Sequence, residues 1–369
     1  MRPATPPLRA SRVPSAATGV RTVDYHTAGD PFRIVDGARG GLPPVPGDTV
    51  AERCATAVGP GGSGPLPRPG PLDDVRRLLV REPRGHPGMF GGFVVPPDDD
   101  GAHLGALFWH KDGYATACGH GAMALGAWAV DTGRVATPDD GDARVRIDTP
   151  AGRVATTVHR TRGRTTGVTL RTAPARVTAR KVPVATTLGL AEADLAHAGA
   201  CYAAVRARDL GLGVSPDALP ALVRAGREIR AALATHPGTW HPDGPLLSGL
   251  YGVILYEELP DTPFGPRQRS VTLLSGGQVT RSPCATGTSA RLALLTEEGR
   301  LAPGDDLVHE SVSGTVFTGR AVAASGGLVT EVTGAAHRTG EHLFVRDPGD
   351  ALGPGLASWR GGSTPVPDA

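Results

Sequence analysis

Two short stretches decide how this chain is read: Cys118-Gly119-His120-Gly121-Ala122-Met123-Ala124 and Cys284-Ala285-Thr286-Gly287-Thr288-Ser289-Ala290. Both are Cys-x-x-Gly-x-x-Ala. A strand-like run precedes each, Leu104 to Trp109 and Ser270 to Leu274. A helix-compatible run follows each, Ala122 to Val130 and Ser289 to Glu298. Each run then meets a glycine at the same offset from its cysteine, Gly133 and Gly299. Glycine is the residue expected just past a helix end. Strand, cysteine, helix and glycine therefore occur twice. The repeat predicts two domains of one architecture, each presenting a cysteine at a helix N-terminus.

The first of these helices is apolar almost all round, with Met123, Leu125, Trp128 and Val130. A helix apolar on every face is normally buried, so each domain is expected to wrap strands around a central helix. The free N–H groups at a helix start bind anions. The positive end of the helix dipole favours a thiolate, which predicts lowered pKa values for Cys118 and Cys284. Two such ends facing each other would hold one carboxylate and place a sulfur on each side of its α-carbon. One thiolate would remove the α-proton while the opposite thiol delivers a proton to the other face. Neither cofactor nor metal is expected. His120 with Cys118 lacks the spacing of a zinc site, and is expected to orient substrate or tune the Cys118 thiol. Cys54 and Cys201 read as small buried hydrophobes.

Composition sets the frame. The chain has 369 residues, 40% of them hydrophobic, with a net charge of +2. It is long enough for two cores. No sustained basic stripe suggests nucleic acid, and no apolar run approaches the ~18–20 residues that cross a bilayer. With 52 Gly and 35 Pro, short strands and turns should outnumber long helices. Helices are expected from Asp73 to Arg81 and from Ala221 to Ala234. Strands are expected at Val145–Asp148, Arg153–His159, Tyr251–Tyr256 and Leu328–Val332. Residues 1–18 read as a disordered tail, the stretch from Gly59 to Leu72 as a loop, and residues 354–369 as a loose tail. No signal-peptide pattern is present, so four reduced thiols in the cytoplasm are expected.

The sequence resembles the proline racemase family, which includes 4-hydroxyproline 2-epimerases and trans-3-hydroxy-L-proline dehydratases. The likeness runs from about Val20 to Gly353. It rests on Asp24-Tyr25-His26-Thr27-Ala28-Gly29, Glu82-Pro83-Arg84-Gly85-His86, Gly113-Tyr114, Cys118-Gly119-His120-Gly121, Arg281-Ser282-Pro283-Cys284-Ala285-Thr286-Gly287-Thr288-Ser289-Ala290, and His309-Glu310-Ser311. The resemblance implies an α/β (α+β) fold of the diaminopimelate-epimerase type. Two similar domains would each wrap a barrel-like sheet around a central helix, with the active site in the cleft between them. The first would span 19–170, with a return of about 336–353, and the second 171–335.

The resemblance also implies a homodimer and chemistry independent of pyridoxal phosphate. Cys118 and Cys284 would be the acid/base pair. Gly119, His120, Ala285 and Thr286 would bind the small imino acid substrate. Phe90 falls where relatives place a pocket-wall aromatic, and fits ordinary core packing equally well. Thr280 stands where relatives carry an Asp that contacts the substrate amine; a hydroxyl offers a hydrogen bond but no counter-charge. Ala285 replaces the usual Gly, and Ala117 a frequent Met. Because family dehydratases replace the second cysteine, Cys284 favours inversion of proline or 4-hydroxyproline over elimination. The alternatives are trans-3-hydroxy-L-proline dehydration, a binding protein with altered substrate or lost activity and, distantly, a metal-dependent hydrolase.

Overall fold

The computed structural model describes residues 19–39, 42–58, 72–172, 174–241, 248–274, 277–302, 304–324, 327–353 and 355–356. The tail 1–18, nearly all of the stretch from Gly59 to Leu72, and the tail 354–369 apart from residues 355–356 lie outside these residues.

The first half runs β1 (Gly19–Thr27), β2 (Asp30–Asp36), α1 (Val50–Val58), α2 (Asp73–Val80), β3 (Phe90–Val95), β4 (Leu104–His110), β5 (Gly113–Ala115), α3 (Gly119–Asp131), β6 (Gly141–Thr149), β7 (Gly152–Thr161) and β8 (Arg164–Arg171). The second runs β9 (Arg176–Thr186), β10 (Gly189–His197), β11 (Cys201–Arg206), α4 (Leu219–Leu233), β12 (Leu250–Thr262), β13 (Gly265–Leu274), α5 (Ala285–Glu297), β14 (Asp306–Ser311), β15 (Val316–Ala324) and β16 (Gly327–Gly334). A last strand, β17 (Ala336–Val345), follows. None of the described helices is long and apolar enough to cross a membrane.

One order of strand pairings occurs twice. In the first half β1–β2 is antiparallel, β2–β3 parallel, β3–β4 antiparallel, β4–β6 parallel, and β6–β7 and β7–β8 antiparallel. In the second half β10–β11, β11–β12, β12–β13, β13–β14, β14–β15 and β15–β16 follow the same sequence. Parallel neighbours need a crossover connection, and the helices supply it: α1 and α2 match α4, and α3 matches α5. The halves join where β8 meets β16, Val168 opposite Gly334. The strand β17 returns to pair with β1, Gly19 opposite Val345, as β9 pairs with β10. The result is a mixed α+β fold in which one large curled sheet encloses two helices.

Helix α3 is buried from Gly119 to Val130, and α5 over nearly its whole length. Each large apolar side chain so enclosed contributes about 1.5–3 kcal/mol, which explains why neither helix is amphipathic. Both start earlier than the sequence suggests, at Gly119 and Ala285 rather than Ala122 and Ser289. Gly, His and Thr have low helix propensity, but the first turn is held by the surrounding sheet. The two glycines after these helices carry φ of +70° at Gly133 and +68° at Gly299. An added Cβ would meet nothing within 4 Å at either, so they serve backbone conformation and not space. Helix α1 was not anticipated; nine residues with one apolar face give too little periodicity to be noticed. Two quoted motifs prove to be ties between elements. The Arg84 Nε–H donates to the Val345 carbonyl at 3.2 Å, and His309 Nδ1 shares a 2.9 Å hydrogen bond with the Thr288 hydroxyl of α5.

Candidate active site

Cys118 and Cys284 are the N-cap residues of α3 and α5. Cys118 is extended, whereas Cys284 has φ +64°. Positive φ is uncommon for a residue with a side chain and marks backbone held under constraint. The two helix starts abut: a Cβ added to Gly119 would lie 2.7 Å from the Cβ of Ala285 and 3.4 Å from the Thr286 nitrogen. Alanine is tolerated at 285 because glycine faces it at 119. The Gly of each Cys-x-x-Gly has its own reason. A Cβ at Gly121 would sit 2.9 Å from Cys118 Sγ, and one at Gly287 would sit 3.2 Å from Cys284 Sγ. The backbone N–H of each glycine lowers the pKa of the neighbouring thiol.

That lowering does not win. Burial is the main influence on both thiols and pushes both upward; at Cys118 the charges of Cys284 and Asp30 add to it. The expected depression by the helix dipole is therefore overturned: removal from water costs a thiolate more than a few N–H groups return. With both values raised, the two cysteines are thiols at neutral pH. Alkylation of Cys118 and Cys284 by iodoacetamide should then rise about tenfold per pH unit between pH 7 and pH 9, following the thiolate fraction below a raised pKa. Mass spectrometry of the two peptides checks this, and a rate already flat at pH 7 would count against it.

Each sulfur has a different companion on an equivalent frame. Near Cys118 stands His120, with ring nitrogens 3.6 and 3.8 Å from the sulfur. Burial lowers its pKa, so it is neutral. Its ring meets Phe90 edge-on at 4.7 Å and Phe32, from β2, at 5.8 Å. Phe90 is 3% exposed and belongs to the core, so it packs and walls the His120 ring at once. Near Cys284 the corresponding strand, β11, supplies Tyr202. Its hydroxyl lies 3.5 Å from the sulfur and 2.6 Å from the Thr286 hydroxyl. The Tyr251 ring meets Tyr202 edge-on at 5.7 Å. Burial raises the Tyr251 pKa, and the charges of Cys118 and Cys284 raise it further.

Thr280 is 3% exposed, and its hydroxyl donates to the Ser282 carbonyl at 2.9 Å. The structure thus gathers Cys118, Gly119, His120, Phe90, Cys284, Ala285 and Thr286 at two touching helix ends, with Thr280 in the loop before the second. Sequence reasoning missed Tyr202, Tyr251 and Asp30. Asp30 directly follows the quoted Asp24–Gly29 motif, which is the signal that could have exposed it. Cys54 and Cys201 are free and buried, as expected. Among the described residues no three His, Cys, Asp or Glu side chains are grouped to hold a metal ion.

Comparison with known proteins adds the family. The model of the proline racemase family matches residues 22–357. A trans-3-hydroxy-L-proline dehydratase of Bacillus thuringiensis subsp. konkukian is 36% identical over 338 residues, covering 90% of this chain and 96% of the relative. A 3-hydroxyproline 2-epimerase of Burkholderia multivorans is also 36% identical, over 339 residues with the same coverage. Among solved structures, a hydroxyproline epimerase from Agrobacterium vitis with bound trans-4-hydroxy-L-proline superposes with a TM-score of 0.81 at 29% identity, covering 93% of this chain and 95% of that one. On sequence and fold together, the chain belongs to the proline racemase family of epimerases and dehydratases.

Proposed function

We propose that this enzyme inverts the α-carbon of a proline-ring imino acid, without pyridoxal phosphate, by a two-thiol mechanism. The observation that carries the reading is the pair of cysteines at the abutting starts of α3 and α5, each sulfur beside the glycine three residues on. The unpaired N–H groups of the two first turns receive the substrate carboxylate. As the zwitterion enters, one thiol gives its proton to solvent, the substrate ammonium offsetting the new charge, and the resulting thiolate takes the α-proton. The C–H electron pair passes into the carboxylate as an enediolate, which the same N–H groups stabilise. The opposite thiol then gives its proton to the other face, and the two sulfurs finish with exchanged protonation states. The halves 19–170 with 336–353, and 171–335, act as two lobes of one site. A cytoplasmic homodimer is part of the reading, on the family likeness and the four free thiols.

The substrate class is proline, 4-hydroxyproline or 3-hydroxyproline; the names of the relatives bring in the last. Incubation of each in D2O should give Cα deuterium together with the epimer, read by NMR. No exchange with any ring imino acid would sink the proposal. A second reading, dehydration of trans-3-hydroxy-L-proline, is favoured by the hydroxyl pair at Cys284. The Cys118 thiolate would take the α-proton, the C–H electron pair would form a C2=C3 double bond, and the C3–O bond would break. The Tyr202–Thr286 pair would pass a proton to the leaving hydroxide, giving water and a pyrroline carboxylate. Pyrroline carboxylate without epimer would select it.

A further inference from the structure

Asp30 opens β2 and is fully buried. It lies in the half that carries Cys118, yet its hydrogen bonds cross to the loop before Cys284. The Arg281 N–H donates to Oδ1 at 2.8 Å, the Ser282 N–H to Oδ2 at 3.0 Å, and the Ser282 hydroxyl to Oδ2. Ser282 Oγ in turn accepts the N–H of Cys284 at 3.2 Å. One hydroxyl therefore separates this carboxylate from the residue held at positive φ. The turn that delivers Asp30 also touches the other helix start, because the Thr27 hydroxyl donates to the His120 carbonyl at 2.9 Å. Three donors surround the carboxylate. After burial, its charge contributes to the raised pKa of Cys118, Cys284 and Tyr251. On the same loop Arg281 Nη1 reaches the Val279 and Gly88 carbonyls at 3.2 and 3.5 Å, and its charge also bears on His120.

A substrate zwitterion brings a ring ammonium as well as a carboxylate. Two helix starts suit the carboxylate and disfavour the ammonium. Thr280, where a negative charge is expected, has none to offer. We propose that Asp30 is the fixed anion of the cleft, supplying through space the counter-charge for the substrate ammonium while it anchors the loop that presents Cys284. It is thus a positioning residue that sets selectivity for a charged ring nitrogen. This rests on the imino-acid reading above.

The test compares two ligands by calorimetry on the full chain: trans-4-hydroxy-L-proline, whose nitrogen is charged, and pyrrole-2-carboxylate, whose nitrogen is not. Asp30→Asn should weaken hydroxyproline binding by about 10- to 50-fold, the effect of unit charges ~7 Å apart at an effective dielectric constant of ~20. Pyrrole-2-carboxylate should bind within about threefold of wild type. Ser282→Ala, which loosens the loop without touching the charge, should change both affinities alike. Should Asp30→Asn fail to fold, Asp30→Glu decides, because moving the charge must alter the two affinities unequally. Equal losses for both ligands, or no loss, overturn the role of Asp30 alone. A wild-type protein that binds no ring imino acid overturns the proposed function and this inference with it.

Discussion

Replacing either Cys118 or Cys284 by serine should lower the rate of α-carbon inversion by about 10²–10⁴-fold, the size of a positioned acid or base. The losses should differ in kind from an ordinary binding defect. Each variant still holds one thiol and both sets of helix N–H groups, so substrate affinity should change little. The surviving thiol can still remove and return a proton on its own face. Each variant should therefore wash deuterium into one epimer without inverting it, and the two variants should choose opposite epimers. NMR of both epimers in D2O, with affinity measured separately, reads all of this. A serine variant that kept more than about a tenth of the inversion rate would remove that cysteine from the mechanism.

Gly121→Ala is the second large effect. Its Cβ would lie 2.4 Å from Phe32 Cε2 and 2.9 Å from Cys118 Sγ. The aromatic ring is packed and cannot yield cheaply, so the sulfur must move. Overpacking of this kind costs about 1–3 kcal/mol, and a displacement of about 1 Å at a reacting atom can cost about 10²-fold in rate. Gly133→Ala is the matched control. Its cost comes from φ +70° in open space, about 1–2 kcal/mol, and the rate should not change. Gly287→Ala should fall between, since its nearest atoms are 3.1 to 3.4 Å away. Thermal melting and turnover on the three variants separate lost stability from lost sulfur placement. Equal turnover in Gly121→Ala and Gly133→Ala would refute the steric account.

The helix frame was legible because its signals are local. Cys-x-x-Gly and the terminal Gly133 and Gly299 each act within a few residues, and periodicity marked α4. The site was legible only where it shares that frame. Asp30 and Arg281 are 251 residues apart, and Tyr202 meets Cys284 across 82; no spacing rule reaches so far. The thiol pKa was misjudged for a related reason. The helix dipole can be read from sequence, whereas burial is a property of everything packed around the sulfur.

The pairing of β1 with β17 has a consequence for the order in which the molecule can be made. Strands β9 to β16 are contiguous, so the enclosure of α5 can close as soon as its own residues are available. The enclosure of α3 cannot, because β1 waits for a partner at Ala336–Val345. On a ribosome the half synthesised first is then the half completed last, and β1 spends most of translation as an open edge. Such edges pair readily with other chains. The vulnerable interval in the life of this protein is therefore its synthesis, and the exposed strand is the one that leads into Asp30.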